Sequence, residues 1–378
     1  MKRILILLLA GLLVLSGCGK NTVEDKKEEK LETKTEAKEN KEVAEEKPSE
    51  VAKSIDDMTE AELEEAWKSE EAYGKLIQIG FNGGLCTGGA GIAHALGYFK
   101  DEGLDVELVK MQGVIDALGT AKVDMSCTHI AELLVPAVNG VDMVFKKGTQ
   151  TGCKSLYVLK DGPINKVTDL VGKAIGLPNG IGGSDHNIAL RFINRDNIDP
   201  KDIKWKPVES SAVILAMQNG EVDGAILSDQ FAEKFIQDGT LKMIRSLTYD
   251  DDFKHEPCCV YVFNKTFAQN NPVTVKKMTK ALFRVSDFIA HNTKEATQIL
   301  FDNSWASGDF DQAVRMMESY DWQVSNDETA YTLTRIIDDY KKFGVLTSDK
   351  SVDEILDMVW EPEAYKHDNE DGYQASNK

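Results

Sequence analysis

Lys75-Leu-Ile-Gln-Ile-Gly-Phe81 and Leu104-Asp-Val-Glu-Leu-Val-Lys110 enclose the stretch whose reading decides the fold. The first segment is a short apolar run of strand length. Asn82 to Gly91 follows as a glycine-rich turn. Ile92, Ala95, Leu96 and Phe99 then recur at helical spacing, and Gly103 supplies a stop before the second strand. Strand, helix, strand in that order is a parallel crossover unit.

Outward from this unit the alternation continues. A helix is expected near Val114–Ala121, a strand at Val123–Cys127, a helix at His129–Val138 and a strand at Val141–Lys147. The pattern then starts again. Lys173–Leu177, Ile203–Val208 and Val222–Leu227 read as strands, with helices at Ser184–Asn194 and Ala212–Asn219. Such alternation specifies α/β layers. Asp116-Ala-Leu…Lys122-Val-Asp-Met-Ser-Cys127 also resembles Leu215-Ala-Met…Glu221-Val-Asp-Gly-Ala-Ile226 at an offset of 99 residues, which points to two similar lobes. Pro272 to about Tyr365 is helix-rich, with Val275, Met278, Leu282, Val285 and Ile289 on one face of a long helix.

Upstream, Lys2 and Arg3 precede an apolar run from Ile4 to Leu15, too short for a stable membrane span. It ends in Leu15-Ser16-Gly17-Cys18, the form of a bacterial lipoprotein box, so residues 1–18 read as a signal peptide with Cys18 the site of lipidation. Two acyl chains hold a protein to a membrane far better than one. Residues 19–53 are mainly Glu, Lys, Thr and Ala and cannot bury enough apolar surface to fold. They read as a charged tether. Residues 54–74 read as a docked helix in which Thr59 and Glu62 fit a capping box, with Leu63 and Trp67 on one face. Residues 366–378 form a polar tail.

The chain has 378 residues and a net charge of −19, which repels phosphate backbones and excludes nucleic acid as a partner. No nucleophile–base pair, phosphate loop or paired-carboxylate motif stands out, so the residues do not ask for catalysis.

The segment Ile92-Ala-His-Ala-Leu-Gly-Tyr-Phe-Lys-Asp-Glu-Gly-Leu-Asp-Val-Glu-Leu108 resembles the signature helix and strand of the nitrate/sulfonate/taurine and thiamine-precursor binding proteins. Val123-Asp124, Val222-Asp223 and Val167-Thr-Asp-Leu-Val-Gly-Lys-Ala-Ile-Gly176 match that family too. The resemblance covers about residues 75–300. It implies an α/β, type II periplasmic-binding-protein fold, two lobes with a hinge of two crossing strands. Lobe one would be residues 75–158 and 264–365, lobe two residues 159–263. The crossings would fall near Tyr157–Lys160 and Tyr261–Asn264. It implies a lipid-anchored monomer at the extracytoplasmic face of the cell membrane. Such a protein captures a small solute and delivers it to an ABC permease and ATPase complex, touching the membrane through its anchor only. The same scaffold is shared with an iron-dependent thiamine-pyrimidine synthase, which leaves an enzymatic alternative.

Ligand loops are expected at the carboxyl ends of strands. They place Asn82, Cys86, Thr87, Cys127, His129, Cys153, Gly182, Gly183, Ser184, Asp229 and Cys258 at the cleft. Asn179-Gly-Ile-Gly-Gly-Ser-Asp185 opens a helix and reads either as an anion cradle or as a capped turn, with Asp185 beside the donors. No Arg falls in any of these loops.

With Cys18 lipidated, five cysteines remain, an odd number for internal pairing. Cys86, Cys127, Cys153 and Cys258 either line the cleft as ligands for a soft metal ion or metal cluster carried as cargo, or form disulfides or an inert core. His129 and His255 accompany two of them. In a strand, Cys258 and Cys259 point to opposite faces, so only one is expected at the cleft. Trp205, Trp305, Trp322 and Trp360 read as packing residues.

Overall fold

The computed structural model describes residues 54–365. The lipoprotein box with Cys18, the tether and the polar tail lie outside the described residues. Helix α1 (Glu60–Lys68) starts at Thr59, whose side chain accepts the Glu62 N–H while the Glu62 carboxylate accepts the Thr59 N–H.

The chain then builds β1 (Leu76–Gly80), α2 (Gly89–Ala95), α3 (Tyr98–Asp101), β2 (Asp105–Val109), α4 (Val114–Gly119), β3 (Met125–His129), α5 (Ile130–Val138) and β4 (Val144–Gly148). The helix expected as one piece after β1 is two. Gly97 sits at φ +76, outside the helical region, and separates α2 from α3. A second series follows: β5 (Lys154–Leu159), β6 (Ala174–Leu177), α6 (Ser184–Arg195), β7 (Lys204–Pro207), α7 (Val213–Gln218), β8 (Gly224–Ser228), α8 (Asp229–Gln237) and β9 (Leu241–Ser246). The chain returns through β10 (Cys259–Phe263) into α9 (Lys265–Asn270), α10 (Pro272–His291), α11 (Thr293–Asp302), α12 (Phe310–Glu318), α13 (Asn326–Lys342) and α14 (Val352–Val359).

Two five-stranded sheets result, in the orders β2-β1-β3-β10-β4 and β7-β6-β8-β5-β9. They are built to one plan. In each, the strand that has just crossed from the other sheet runs antiparallel to its neighbours: β5 between β8 and β9, β10 between β3 and β4. The α4–β3 and α7–β8 units stand 99 residues apart, as the repeated phrase requires. Its Asp has a defined job in both lobes. Asp124 accepts the Gln78 N–H of β1 at 2.8 Å, and Asp223 accepts the Ala174 N–H of β6 at 2.9 Å. Each carboxylate ties a strand end to its neighbour.

The passages between sheets run over residues 149–153 and 247–258. They fall before the positions expected at Tyr157–Lys160 and Tyr261–Asn264, because Tyr157 and Tyr261 already lie inside β5 and β10. Both strands are buried along almost their whole length, so nothing in their composition separates a crossing from a core strand. The two passages pair antiparallel at Thr151 and Pro257.

One apolar cluster runs through both lobes, from Ile77 and Ile79 through Cys153 and Cys258 to Ile188 and Phe192. Two others pack the outer helices onto each sheet. No described helix is long and apolar enough to cross a membrane.

Candidate functional site

The loops at the strand ends meet at the paired crossings, and four side chains come together there. His129 is the last residue of β3 and the N-cap of α5. The β3–β10 register sets it opposite Cys259, and directly opposed residues share a face. His129 Nδ1 lies 3.6 Å from Cys259 Sγ and 3.8 Å from Cys153 Sγ. Cys153 Sγ lies 2.9 Å from Cys258 Sγ, well beyond a disulfide's bond of about 2.05 Å. Cys258 Sγ is 3.5 Å from Cys259 Sγ. All four ligand-capable atoms lie within 4.8 Å of one another.

Cys259 was not among the expected site residues. The alternation argument allowed only one of the two neighbouring cysteines at the cleft. It fails because Cys258 belongs to the crossing segment and β10 begins at Cys259, so no pleat relates them. The signal available in the sequence was the Cys258-Cys259 pair itself, once β3 and β10 are known to be neighbours.

The expected metal set is thus partly regrouped. Cys153 and Cys258 are in the cluster. Cys86 adjoins it: Cys153 lowers its thiol, but Cys259 and burial outweigh that and leave it raised. Cys127 shares the strand face of His129 but stands outside the group of four. Burial pushes the Cys127, Cys153 and Cys258 thiols up. Burial acts the same way on Cys259. There, hydrogen bonds from Cys153, Cys258 and Cys86, with His129 behind them, win and hold the thiol below its usual range. Gln150 Nε2 donates to Cys258 Sγ at 3.3 Å and orients it.

Cys153 sits at φ +90, beside Gly152 at φ +80. That region disfavours any side chain by about 1–3 kcal/mol. The backbone is fixed there by its N–H, which donates to Thr248 Oγ1 at 2.9 Å.

The other expected residues do different work. Asn82 accepts the Met111 N–H at 3.1 Å and donates to Met111 O at 2.8 Å, joining the loops after β1 and β2. Thr87 Oγ1 donates to Gly83 O at 2.6 Å. With Cys127 and Glu132 these residues line a cavity of about 240 Å³ on lobe one. Asp229 accepts from Tyr157 OH at 2.6 Å and from Thr248 Oγ1, bracing the hinge from lobe two. His255 lines a cavity of about 470 Å³ with Thr151, Thr248, Tyr320 and Trp322, and is not in the thiol group.

At the head of α6, Gly183 is the N-cap and Gly182 stands at φ +82. The loop, which reads either as an anion cradle or as a capped turn, holds a carboxylate of its own. Asp185 accepts the Asn179 N–H at 2.7 Å and pairs closely with Lys154 Nζ, which also donates to Ser184 Oγ at 3.1 Å. Lys154 is the cation that the loops lacked. It escaped the sequence reading because it sits on a strand.

Residues 88–296 match the model of the family described as NMT1/THI5 like. The chain belongs to the NMT1/THI5-like family. Among relatives, a taurine-binding periplasmic protein of Escherichia coli (strain K12) is 26% identical over 188 residues, 49% of this chain and 57% of that protein. The 4-amino-5-hydroxymethyl-2-methylpyrimidine phosphate synthase THI13 of Saccharomyces cerevisiae (strain ATCC 204508 / S288c) is 25% identical over 236 residues, 56% of this chain and 65% of that one. The chain therefore spans less than two thirds of the length of either relative. Among solved structures, the alkanesulfonate-binding protein SsuA from Xanthomonas axonopodis pv. citri bound to MOPS superposes with a TM-score of 0.62 at 16% identity, covering 78% of this chain and 100% of that one. The NMT1/THI5-like chain thus has the type II periplasmic-binding fold.

Proposed function

We propose that this chain is a lipid-anchored, extracytoplasmic solute-capture subunit that hands its cargo to an ABC permease and ATPase complex. The observation that carries the reading is the hinge. Two sheets of one plan are joined by two passages that pair at Thr151 and Pro257, and His129 at the end of β3 and Asp229 just after β8 each reach a residue of these passages. A solute touching both lobes favours the closed form by its differential affinity for it. A permease can then distinguish loaded from empty protein by shape. The lobes are proposed as residues 75–158 with 264–365, and 159–263, corrected at the hinge to the passages given above.

The test is native mass spectrometry of the full chain extracted from a bacterial host in detergent. The expected spectrum carries a diacylglycerol mass that Cys18→Ala removes, and a bound solute that lobe opening releases. A chain with neither modification nor bound mass in any growth medium would refute the reading. The synthases among the relatives support a second reading, an enzyme forming the pyrimidine phosphate they are named for. Appearance of that product on incubation with the purified chain would favour it.

A further inference from the structure

We propose that His129, Cys153, Cys258 and Cys259 form a binding site for a thiophilic d10 cation, zinc(II) or copper(I), and that such a cation is the cargo of the cleft. The cargo assignment rests on the capture reading above; the site itself does not.

Three thiols and one imidazole are a ligand set that soft cations select over calcium or magnesium, which take oxygen. Around a zinc ion, with sulfur at about 2.3 Å and nitrogen at about 2.0 Å, tetrahedral ligand atoms lie roughly 3.5–3.8 Å apart. Of the six separations, three at 3.5, 3.6 and 3.8 Å match, Cys153 to Cys258 is shorter at 2.9 Å, and all lie within 4.8 Å. To admit the ion, Cys153 Sγ and Cys258 Sγ must spread by about 0.9 Å. Binding forms three metal–sulfur bonds and one metal–nitrogen bond, and the thiol protons leave to solvent.

Position in the fold gives the second argument. The ligands come from the end of β3, from the first passage and from the second passage with its strand. A cation held by all four therefore links both crossing segments to lobe one. Cys153, Cys258 and Cys259 are 3%, 7% and 0% exposed, so the ion enters only when the lobes part. Cys153 carries its thiol on a backbone where glycine would be unstrained, beside a glycine of similar φ. The sulfur is what that backbone conformation serves to aim.

The experiment uses the reduced full chain in detergent, without oxygen, titrated with zinc(II) against a chromophoric chelator and with copper(I) against a copper(I)-selective one. One ion per chain is expected, with Kd below about 1 µM for at least one cation. Cys259→Ser and Cys153→Gly should each weaken binding by about 100-fold or more. Cys153→Gly also serves as the folding control, because it relieves strain and should unfold at the same denaturant concentration or higher. Binding weaker than about 10 µM for both cations, or variants that bind like the parent, would overturn the site. Unreduced peptide mapping of chain from aerobic cells that recovers Cys153 joined to Cys258 would overturn it as well. The cargo assignment has its own readout. Cells lacking the chain should take up less of the bound cation, and unchanged uptake would overturn cargo while leaving the site. Absence of cation binding alongside a different bound solute would overturn the site and leave capture standing.

Discussion

Arg191 Nε on α6 lies 2.8 Å from Asp339 Oδ2 on α13, and this contact joins lobe two to a helix packed on lobe one. Asp339 is buried and also accepts from Asn194 at 2.8 Å and from Arg195 at 3.0 and 3.2 Å. Arg191 turns its other side to Glu256 at 2.7 Å. Removing one partner of a buried ionic network leaves an uncompensated charge, which costs about 3–5 kcal/mol. Asp339→Ala should therefore lose several kcal/mol in urea unfolding, and small-angle scattering should show a larger radius of gyration as the lobes separate. An unchanged midpoint and radius would mean the network does not hold the lobes.

Glu70 caps a helix it does not belong to. Its carboxylate accepts the Val273 N–H at 2.5 Å and the Thr274 N–H at 2.8 Å, at the start of α10, where Asn271 makes no side-chain cap. Trp67 Nε1 donates to Thr274 Oγ1 at 3.0 Å beside it. Glu70→Ala should destabilise by about 1–2 kcal/mol, with Glu70→Gln in between, measured by denaturant midpoint.

Lys147 is fully buried, with Nζ donating to Gly148 O at 2.7 Å and 4.6 Å from the centre of the Phe283 ring. Burial lowers its pKa from the ordinary 10.5 to about 7, against the raising influence of Asp287 on α10 and Cys127 on β3. Tyr261 of β10 faces it as well. The folded value lies below the unfolded one, so between about pH 7 and 10.5 the unfolded chain binds more protons and stability rises with pH. Below that window the penalty is complete and this contribution is flat. The urea midpoint should increase from pH 7 to pH 9, and Lys147→Met should shrink the increase. An equal increase in the variant would assign the slope elsewhere.

Gly83 stands at φ +81, and a Cβ there would drive into the Trp305 carbonyl oxygen, which accepts the Gly84 N–H at 2.8 Å. Gly83→Ala should cost about 1–3 kcal/mol and disturb the loop that carries Cys86. Gly74→Ala is the comparison, since Gly74 has φ +65 but open space around it and meets only the conformational penalty. Thermal unfolding of the two variants should rank Gly83→Ala clearly lower.

Much of the fold was legible because its signals are local. Ser184 to Asn194 gave α6 to within a residue, and the 99-residue echo anticipated two sheets of one plan. The hinge was misplaced by several residues because β5 and β10 are uniformly buried and carry no alternation to mark where they begin. The site divided along the same line. Cys153, Cys258 and His129 were expected at loops or strand ends, and the structure brings them together. Cys259 and Lys154 lie on strands, where a chemical side chain looks like any other member of a buried run until the neighbouring strand is known. Asn82 and Thr87 show the converse: polar loop residues whose groups are engaged in building the loop.

Asp185 has a consequence for the donors around the start of α6. A carboxylate already lodges at the head of α6 against Lys154, tethered so that its local concentration never falls. A visiting sulfonate or carboxylate must evict this resident before it can take the same amide and ammonium donors. The Asp185–Lys154 pair is buried and compensated within the chain, so this corner of the second lobe works as a closed strut and not as an open docking surface.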